Sequence, residues 1–194
     1  MGTDWRQAPG GIRLTQDCYV REVDERLWSA DGVGSWKLER RQEYWEEGFP
    51  SWDAFAAGDW ERSMALYEEL RPGLLELGRM SARHQTAFRR VRIVERPLSA
   101  YLRWELAVLR IRAQCWESIR VVDAASLPSV ESDRPLIDAL SLCGQTLYHT
   151  LYTDEGRPDG AVRFTDPAVI HDYEVMVRAL YDAGEDLDRF QPGQ

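Results

Sequence analysis

One stretch in the middle of the chain constrains the fold more than any other: residues 89–105, with the sequence RRVRIVERPLSAYLRWE. Charged and apolar residues alternate over its first half, which is the period of a β-strand. Ser99 is then a candidate N-cap for a helix with an apolar stripe at Leu98, Leu102, Leu106, Leu109, Ala113 and Trp116. A second apolar segment follows at residues 119–123. Two strands joined by one helix usually pair in parallel, so the segment predicts a β-α-β unit.

The residues after this unit predict an antiparallel meander and a long final helix. The strands are residues 136–143, 146–153 and 161–164, and turn sequences separate them. Asp166 and Pro167 begin the helix, whose apolar stripe is Ile170, Tyr173, Val177 and Leu180. The expected fold class is therefore α+β, with a mixed sheet and helices packed on it.

The first 60 residues are harder to interpret. Residues 12–28 alternate weakly and predict one strand, and an apolar pattern from Trp60 predicts a helix that Pro72 and Gly73 kink or divide. Residues 28–60 hold five of the eight tryptophans: Trp28, Trp36, Trp45, Trp52 and Trp60. Such a density indicates either contact with a partner or burial against a core. We expect residues 1–60 to form a Trp-rich arm covering an α+β domain of residues 61–194, within one compact unit.

Charge is distributed unevenly along the chain. Residues 79–112 contain nine arginines and two acids, Glu95 and Glu105, whereas the whole chain has a net charge of −9. A dedicated nucleic-acid-binding protein normally carries a basic balance, so nucleic acid is not the expected partner. The local positive charge leaves two interpretations open, a small anionic ligand or pairing with the acidic remainder of the chain.

Complete catalytic and cofactor motifs are absent from the sequence. Three histidines and three cysteines match no metal-ligand spacing, and no glycine-rich phosphate loop or nucleophile elbow occurs. We therefore expect no cofactor and no metal. Cys115, Ser99 and Ser141 are the candidate nucleophiles, and a structural thiol is the preferred interpretation of Cys115. No apolar run is long enough to span a membrane, and the expected location is the cytoplasm.

Glu105 lies beside the apolar stripe of the predicted central helix, where an unpaired carboxylate is costly. The preferred interpretation is a structural pair with Arg92, Arg103 or Arg120, and the alternative is a functional role.

Four segments carry a resemblance to a known family: residues 36–42, residues 50–60, residues 89–105 and residues 163–167. On these the chain resembles an uncharacterised domain-of-unknown-function family of high-GC Gram-positive bacteria. Such proteins are often encoded near helix-turn-helix regulators, so the resemblance implies a regulatory or accessory role and such a regulator as a partner. The order of elements is also similar to one half of a phospholipase-D-like domain, without the His-x-Lys motif of that family. That likeness implies that Arg92, Arg103 and Arg120 hold an anion.

Three hypotheses about function follow. The first is a non-catalytic regulatory or accessory module that binds a partner protein or a small anionic ligand, with homo-oligomerisation left open. Its candidate site residues are Arg92, Arg103, Trp104, Glu105, Arg120, Trp36 and Trp52. The second is a phosphodiesterase or transferase that uses Glu105, His149 and Asp138; a cleft gathering Glu105, an arginine and a histidine would favour it. The third is nucleic-acid binding through residues 79–112.

Overall fold

The computed structural model describes residue 5, residues 8–127, residue 131 and residues 135–191. Its strands are β1 Ile12–Leu14, β2 Ser35–Glu39, β3 Phe88–Val94, β4 Glu117–Asp123, β5 Ala139–Leu142, β6 Thr146–Tyr152, β7 Pro158–Phe164 and β8 Glu185–Asp186. Its α-helices are α1 Gln16–Arg26, α2 Pro50–Ala56, α3 Trp60–Glu68, α4 Arg71–Arg83, α5 Ala100–Cys115 and α6 Pro167–Ala183. The expected α+β class is confirmed.

All eight strands form one mixed sheet in the order β1-β7-β6-β5-β2-β3-β4-β8. The three central strands β2, β3 and β4 are parallel, and every other pairing is antiparallel. The parallel pair β3 and β4, joined by α5, is the predicted β-α-β unit. The meander of β5, β6 and β7 and the final helix α6 are also confirmed.

Helix α5 begins as the sequence predicts, because the side chain of Ser99 accepts a hydrogen bond from the Leu102 N–H over 3.1 Å. One side of α5 packs Leu102, Leu106 and Leu109 against strand residues of β3 and β4. The opposite side packs Tyr101, Trp104 and Val108 against α2, α3 and α4. Helix α5 therefore lies between the sheet and an outer helical layer.

The strand predicted for residues 12–28 is wrong beyond its first residues. Strand β1 ends at Leu14, and the Thr15 side chain accepts a hydrogen bond from the Cys18 N–H to cap α1. The weak alternation of this segment is outweighed by the cap and by the helical stripe of Tyr19, Val23 and Leu27, which packs beside Leu14 on the sheet. The predicted division after Trp60 is confirmed, because α3 ends at Glu68 and α4 begins at Arg71, with Pro72 in its first turn.

Strand β2 was missed by the sequence patterns, yet it is central to the sheet. It pairs in parallel with β3 and antiparallel with β5, so it joins the β-α-β unit to the meander. The division of the chain into an arm of residues 1–60 and a domain of residues 61–194 stays a prediction. The structure adds that the first segment supplies β1, α1, β2 and α2.

The two faces of the central sheet differ in chemistry. The face beneath α6 is apolar, with Leu38, Val91 and Ile93 fully buried, and Tyr173 of α6 donates its hydroxyl to the Ala139 carbonyl over 3.0 Å. The face beneath α5 carries charged side chains in its middle. None of the described helices is long and apolar enough to cross a membrane.

Candidate functional site

Charged residues of the three parallel strands lie side by side on the face beneath α5. The register places Lys37 opposite Arg90 and Glu39 opposite Arg92, so all four side chains project from the same face. Arg90, Arg92 and Glu39 are buried, as is Glu117 of β4. Parallel strands covered on both faces are normally apolar throughout, so this arrangement departs from what the fold alone requires.

The charges form a continuous network of ion pairs. Lys37 Nζ lies 2.7 Å from Glu39 Oε1, and Arg90 donates to Glu39 Oε2 over 2.6 Å. The Nε of Arg90 donates to Glu117 Oε2 over 2.7 Å, and the Nε of Arg112, from α5, donates to Glu117 Oε1 over 2.6 Å. Both arginines are therefore satisfied by carboxylates of the protein itself.

Arg92 and Glu105 form a second buried pair within the β-α-β unit. The Nε of Arg92 donates to Glu105 Oε2 over 2.7 Å, and its Nη1 donates to the Ile93 carbonyl over 2.9 Å. The preferred interpretation of Glu105 as one half of an ion pair is confirmed. Its partner is Arg92, rather than Arg103 or Arg120. The pair stands at the inner wall of the site, because Glu105 also lines the cavity described next.

Burial and ion pairing act in opposite directions on these carboxyl groups. Burial alone would raise the pKa of Glu39, but the positive charges of Arg90 and Lys37 outweigh it and hold that pKa below its usual value. The same holds for Glu117, which faces Arg90 and Arg112. For Glu105 burial prevails and raises the pKa to about 7, although the charge of Arg92 acts in the opposite direction. Burial therefore prevails at Glu105, and ion pairing prevails at Glu39 and Glu117.

A cavity of about 350 Å³ opens over this network. The loop of residues 40–49, which follows the carboxyl end of β2, covers it with Tyr44, Glu46 and Phe49. The Tyr101 hydroxyl donates to Glu46 Oε1 over 2.5 Å and ties the loop to α5. The other side chains that line the cavity come from the sheet, α3 and α5. They are Lys37, Glu39, Tyr67, Arg90, Tyr101, Trp104, Glu105, Val108, Leu109, Arg112, Tyr152 and Pro158. The cavity thus combines charged groups on the sheet with aromatic walls.

A second cavity of about 440 Å³ lies on the other side of Tyr152, and it contains Asp138 and His149. Asp138 Oδ2 accepts the hydroxyls of Tyr44 over 2.6 Å and Tyr152 over 2.8 Å, and its Oδ1 accepts the N–H of Arg40 over 2.6 Å. Burial lowers the pKa of His149 below its usual value, and the negative charge of Asp138 offsets only part of that effect. Asp138 therefore fixes the loop of residues 40–49 and the wall between the two cavities.

The three residues of the enzyme hypothesis are divided between these cavities. Glu105 lines the first cavity with Arg90 and Arg112, and His149 and Asp138 line the second. Among the described residues no histidine lines the first cavity. The arrangement that would favour the enzyme hypothesis is not assembled, and that hypothesis stays a prediction.

The other predicted site residues do not form one site, because they are divided between the two faces of the sheet. Trp104 lines the first cavity, and its indole N–H donates to the Ser63 hydroxyl over 2.8 Å. Arg103 is exposed on α5 and donates to the Leu98 carbonyl over 2.8 Å. Trp52 is buried among the outer helices. Trp36 and Arg120 lie on the opposite face of the sheet, where both contact Tyr181 of α6.

Each candidate nucleophile has a structural contact. Ser99 caps α5, and Ser141 donates to Glu174 Oε1 over 2.5 Å. Cys115 is half-buried at the end of α5, where its sulfur lies 3.6 Å from Arg71 Nη1. None of these three side chains lines either cavity.

The basic segment of residues 79–112 does not present its charge on one surface. Arg90 and Arg92 are buried against carboxylates, Arg112 faces Glu117, and Arg79 pairs with Glu76 over 2.5 Å. The interpretation that these arginines pair with acidic residues is therefore confirmed for these four.

Sequence reasoning missed most of the cavity, including Lys37, Glu39, Tyr44, Glu46, Arg90 and Arg112, and it missed Glu117, which pairs with both arginines. One signal was available, because residues 35–39 (SWKLE) alternate charge with the same parity as residues 88–94 (FRRVRIV). Two strands of this pattern place Lys37, Glu39, Arg90 and Arg92 on one face when they pair in parallel in this register, whereas Arg89 lies on the other face beside Trp36.

The fold and the cavity define an α+β protein whose mixed sheet carries a charged, aromatic-walled site beneath a helix. The model of a family described as a domain of unknown function, DUF6879, matches residues 22–192, and the chain belongs to that family. No curated protein and no solved structure shows a significant match to the chain.

Proposed function

We propose that the protein is a non-catalytic regulatory or accessory module that binds a small molecule in the cavity of Lys37, Glu46 and Glu105. One observation carries the proposal: charged side chains occupy the middle of a sheet face that helices cover, and they line a cavity. Burying ion pairs costs desolvation energy that apolar side chains would avoid. Ionisable groups concentrated at a cavity are typical of functional sites.

The ion pairs argue for binding rather than for turnover. A general acid or base needs free access to the reacting atom, and a nucleophile needs an adjacent base. Glu39, Arg90 and Arg112 are held by partners within the protein, and Asp138 accepts four hydrogen bonds from side chains and backbone at the cavity wall. Such fixed groups suit recognition of a ligand, because little ordering remains to be done on binding.

The proposal is tested by filling the cavity. Val108 lines it and is 4% exposed, whereas Val175 on α6 is 54% exposed, so Val108→Phe and Val175→Phe add the same atoms at a lining and at a surface position. Each protein is incubated with a soluble metabolite extract, desalted, and examined by native mass spectrometry. We expect wild type and Val175→Phe to retain a small-molecule mass and Val108→Phe to lose it.

Overpacking costs about 1–3 kcal/mol, so the circular dichroism spectrum and unfolding temperature of Val108→Phe must first show that it is folded. Equal retention by both variants, or no retained mass on wild type from any extract, would contradict the proposal.

A further inference from the structure

Lys37 is a cation of the cavity with unused hydrogen-bonding capacity. It is the only lysine in a chain with 23 arginines, and its side chain is 30% exposed at the cavity. An ammonium group has three donors, and among the described residues Nζ reaches one partner, Glu39 Oε1. Two donors therefore remain for an acceptor in the cavity.

Among the described residues, no donor reaches two of the carboxylate oxygens of the cavity. Glu46 Oε1 accepts the Tyr101 hydroxyl, and Glu105 Oε2 accepts Arg92 Nε. The second oxygen of each group, Glu46 Oε2 and Glu105 Oε1, accepts no hydrogen bond from the part of the chain that the structure describes. A donor in the cavity would satisfy them.

The charges that line the cavity balance. Lys37, Arg90 and Arg112 face Glu39, Glu46 and Glu105, so neither a bare anion nor a bare cation finds an excess of opposite charge. Lys37 and Glu46 line the same cavity, so one ligand can contact both. A ligand with both charges would meet a complementary group at each.

Aromatic rings form the remaining walls and fit a flat apolar group. They are the rings of Tyr44, Phe49, Tyr67, Tyr101, Trp104 and Tyr152. Aromatic side chains stack on flat groups and contribute apolar contact area at the same time.

Building on the proposed function, we propose that the ligand is a small zwitterion with an aromatic group, of the amino-acid class. Its carboxylate accepts from Lys37, its ammonium donates to Glu46 and Glu105, and its ring lies against the tyrosines. Such a ligand differs from a small anion in carrying both charges, each next to a group of opposite sign in the cavity.

Three probes with one phenyl ring separate the charges: L-phenylalanine carries both, 3-phenylpropionate only the carboxylate and 2-phenylethylamine only the ammonium. Affinities for the full-length protein are measured by isothermal titration calorimetry. A hydrogen bond to a charged group contributes about 1.5–3 kcal/mol, so each missing charge should weaken binding about ten- to a hundredfold. We expect wild type to bind phenylalanine more tightly than either single-charge probe by that factor.

Two variants assign the charges to residues. Lys37→Met should weaken phenylalanine and phenylpropionate but leave phenylethylamine unchanged, and Glu46→Gln should weaken phenylalanine and phenylethylamine but leave phenylpropionate unchanged. Arg21→Met and Glu25→Gln, on the exposed side of α1, remove the same charges away from the cavity and should change nothing.

The wild-type titrations alone decide the proposal, even where a variant fails to fold. Equal affinity for phenylpropionate and phenylalanine identifies an anion site, and equal affinity for phenylethylamine identifies a cation site; either overturns the zwitterion and leaves the proposed function standing. No binding of the three probes, with a metabolite still retained from the extract, also overturns it. When wild type neither binds a probe nor retains a metabolite, both proposals fail.

Discussion

At the scale of single residues, Arg92 shows why this site is costly to build. Its side chain is fully buried, and its charge is compensated by Glu105 and by two backbone carbonyls, of Glu39 and Ile93. The two partners of such a pair cost several kcal/mol each to desolvate. Removing one of them leaves the other charge uncompensated, which is worse for the folded state than either the pair or an apolar replacement of both.

Arg92→Met should therefore lower the free energy of unfolding by about 3–5 kcal/mol, because Glu105 then stays buried without the positive charge that compensates its desolvation. Arg103→Met is the matched control, because Arg103 lies on the same β-α-β unit but is exposed, and it should change stability by less than about 1 kcal/mol. Urea unfolding followed by tryptophan fluorescence measures both. Equal costs for the two variants would show that the Arg92 pair is not a buried interaction.

At the scale of secondary-structure elements, the sequence predicted what local periodicity determines. The β-α-β unit, the meander and α6 each have a clear period and a cap or turn, and Arg92 and Glu105 could be paired because they belong to one such unit. Strand β2 has five residues, and three of them are polar or charged, so its short alternation is too weak by itself to distinguish it from a loop. Its burial depends on β3 and β5, which are distant in sequence, and the cavity was missed for the same reason.

The positions of β1 and α1 depend on the close approach of their connecting backbone, at Leu14 and Thr15, to Gly160 of β7. Gly160 has φ +85°, and a Cβ there would lie 2.1 Å from the Leu14 carbonyl oxygen. Gly10 has nearly the same backbone, φ +84°, with nothing within 4 Å of a Cβ, so Gly10→Ala isolates the cost of the left-handed conformation.

Gly160→Ala should cost at least about 2 kcal/mol more than Gly10→Ala in urea unfolding, because it adds a backbone clash to the same conformational penalty. Protease cleavage between β1 and α1 should also become faster in Gly160→Ala alone. Similar stabilities of the two variants would mean that β1 is not held against β7 as the structure has it.

At the scale of the whole molecule, the two faces of the sheet have different roles. The face beneath α6 is an apolar core that stabilises the fold, and the face beneath α5 holds the charged cavity. Strand β2 contributes to both, with Leu38 in the apolar core and Lys37 and Glu39 in the cavity. Residues 22–192, the part that matches the family model, span both faces. The site is therefore assembled from the N-terminal segment as much as from the β-α-β unit.

This arrangement makes a prediction about the boundary at residue 60. A fragment of residues 61–194 lacks β2, so β3 and β5 lose their shared partner and the sheet is divided in its middle. Unpaired strand edges and the exposed apolar faces of β3 and β5 cost more than a small domain can offset. We expect the fragment to show no cooperative unfolding transition and poor amide dispersion in NMR spectra.

The matched control is a full chain cleaved at a protease site inserted after Gly58, an exposed turn with nothing within 4 Å of its missing Cβ. The cleaved chain has nearly the same break but keeps both pieces, and it should unfold cooperatively. A cooperative transition and dispersed amides in the isolated fragment would instead establish residues 61–194 as a domain and residues 1–60 as an arm.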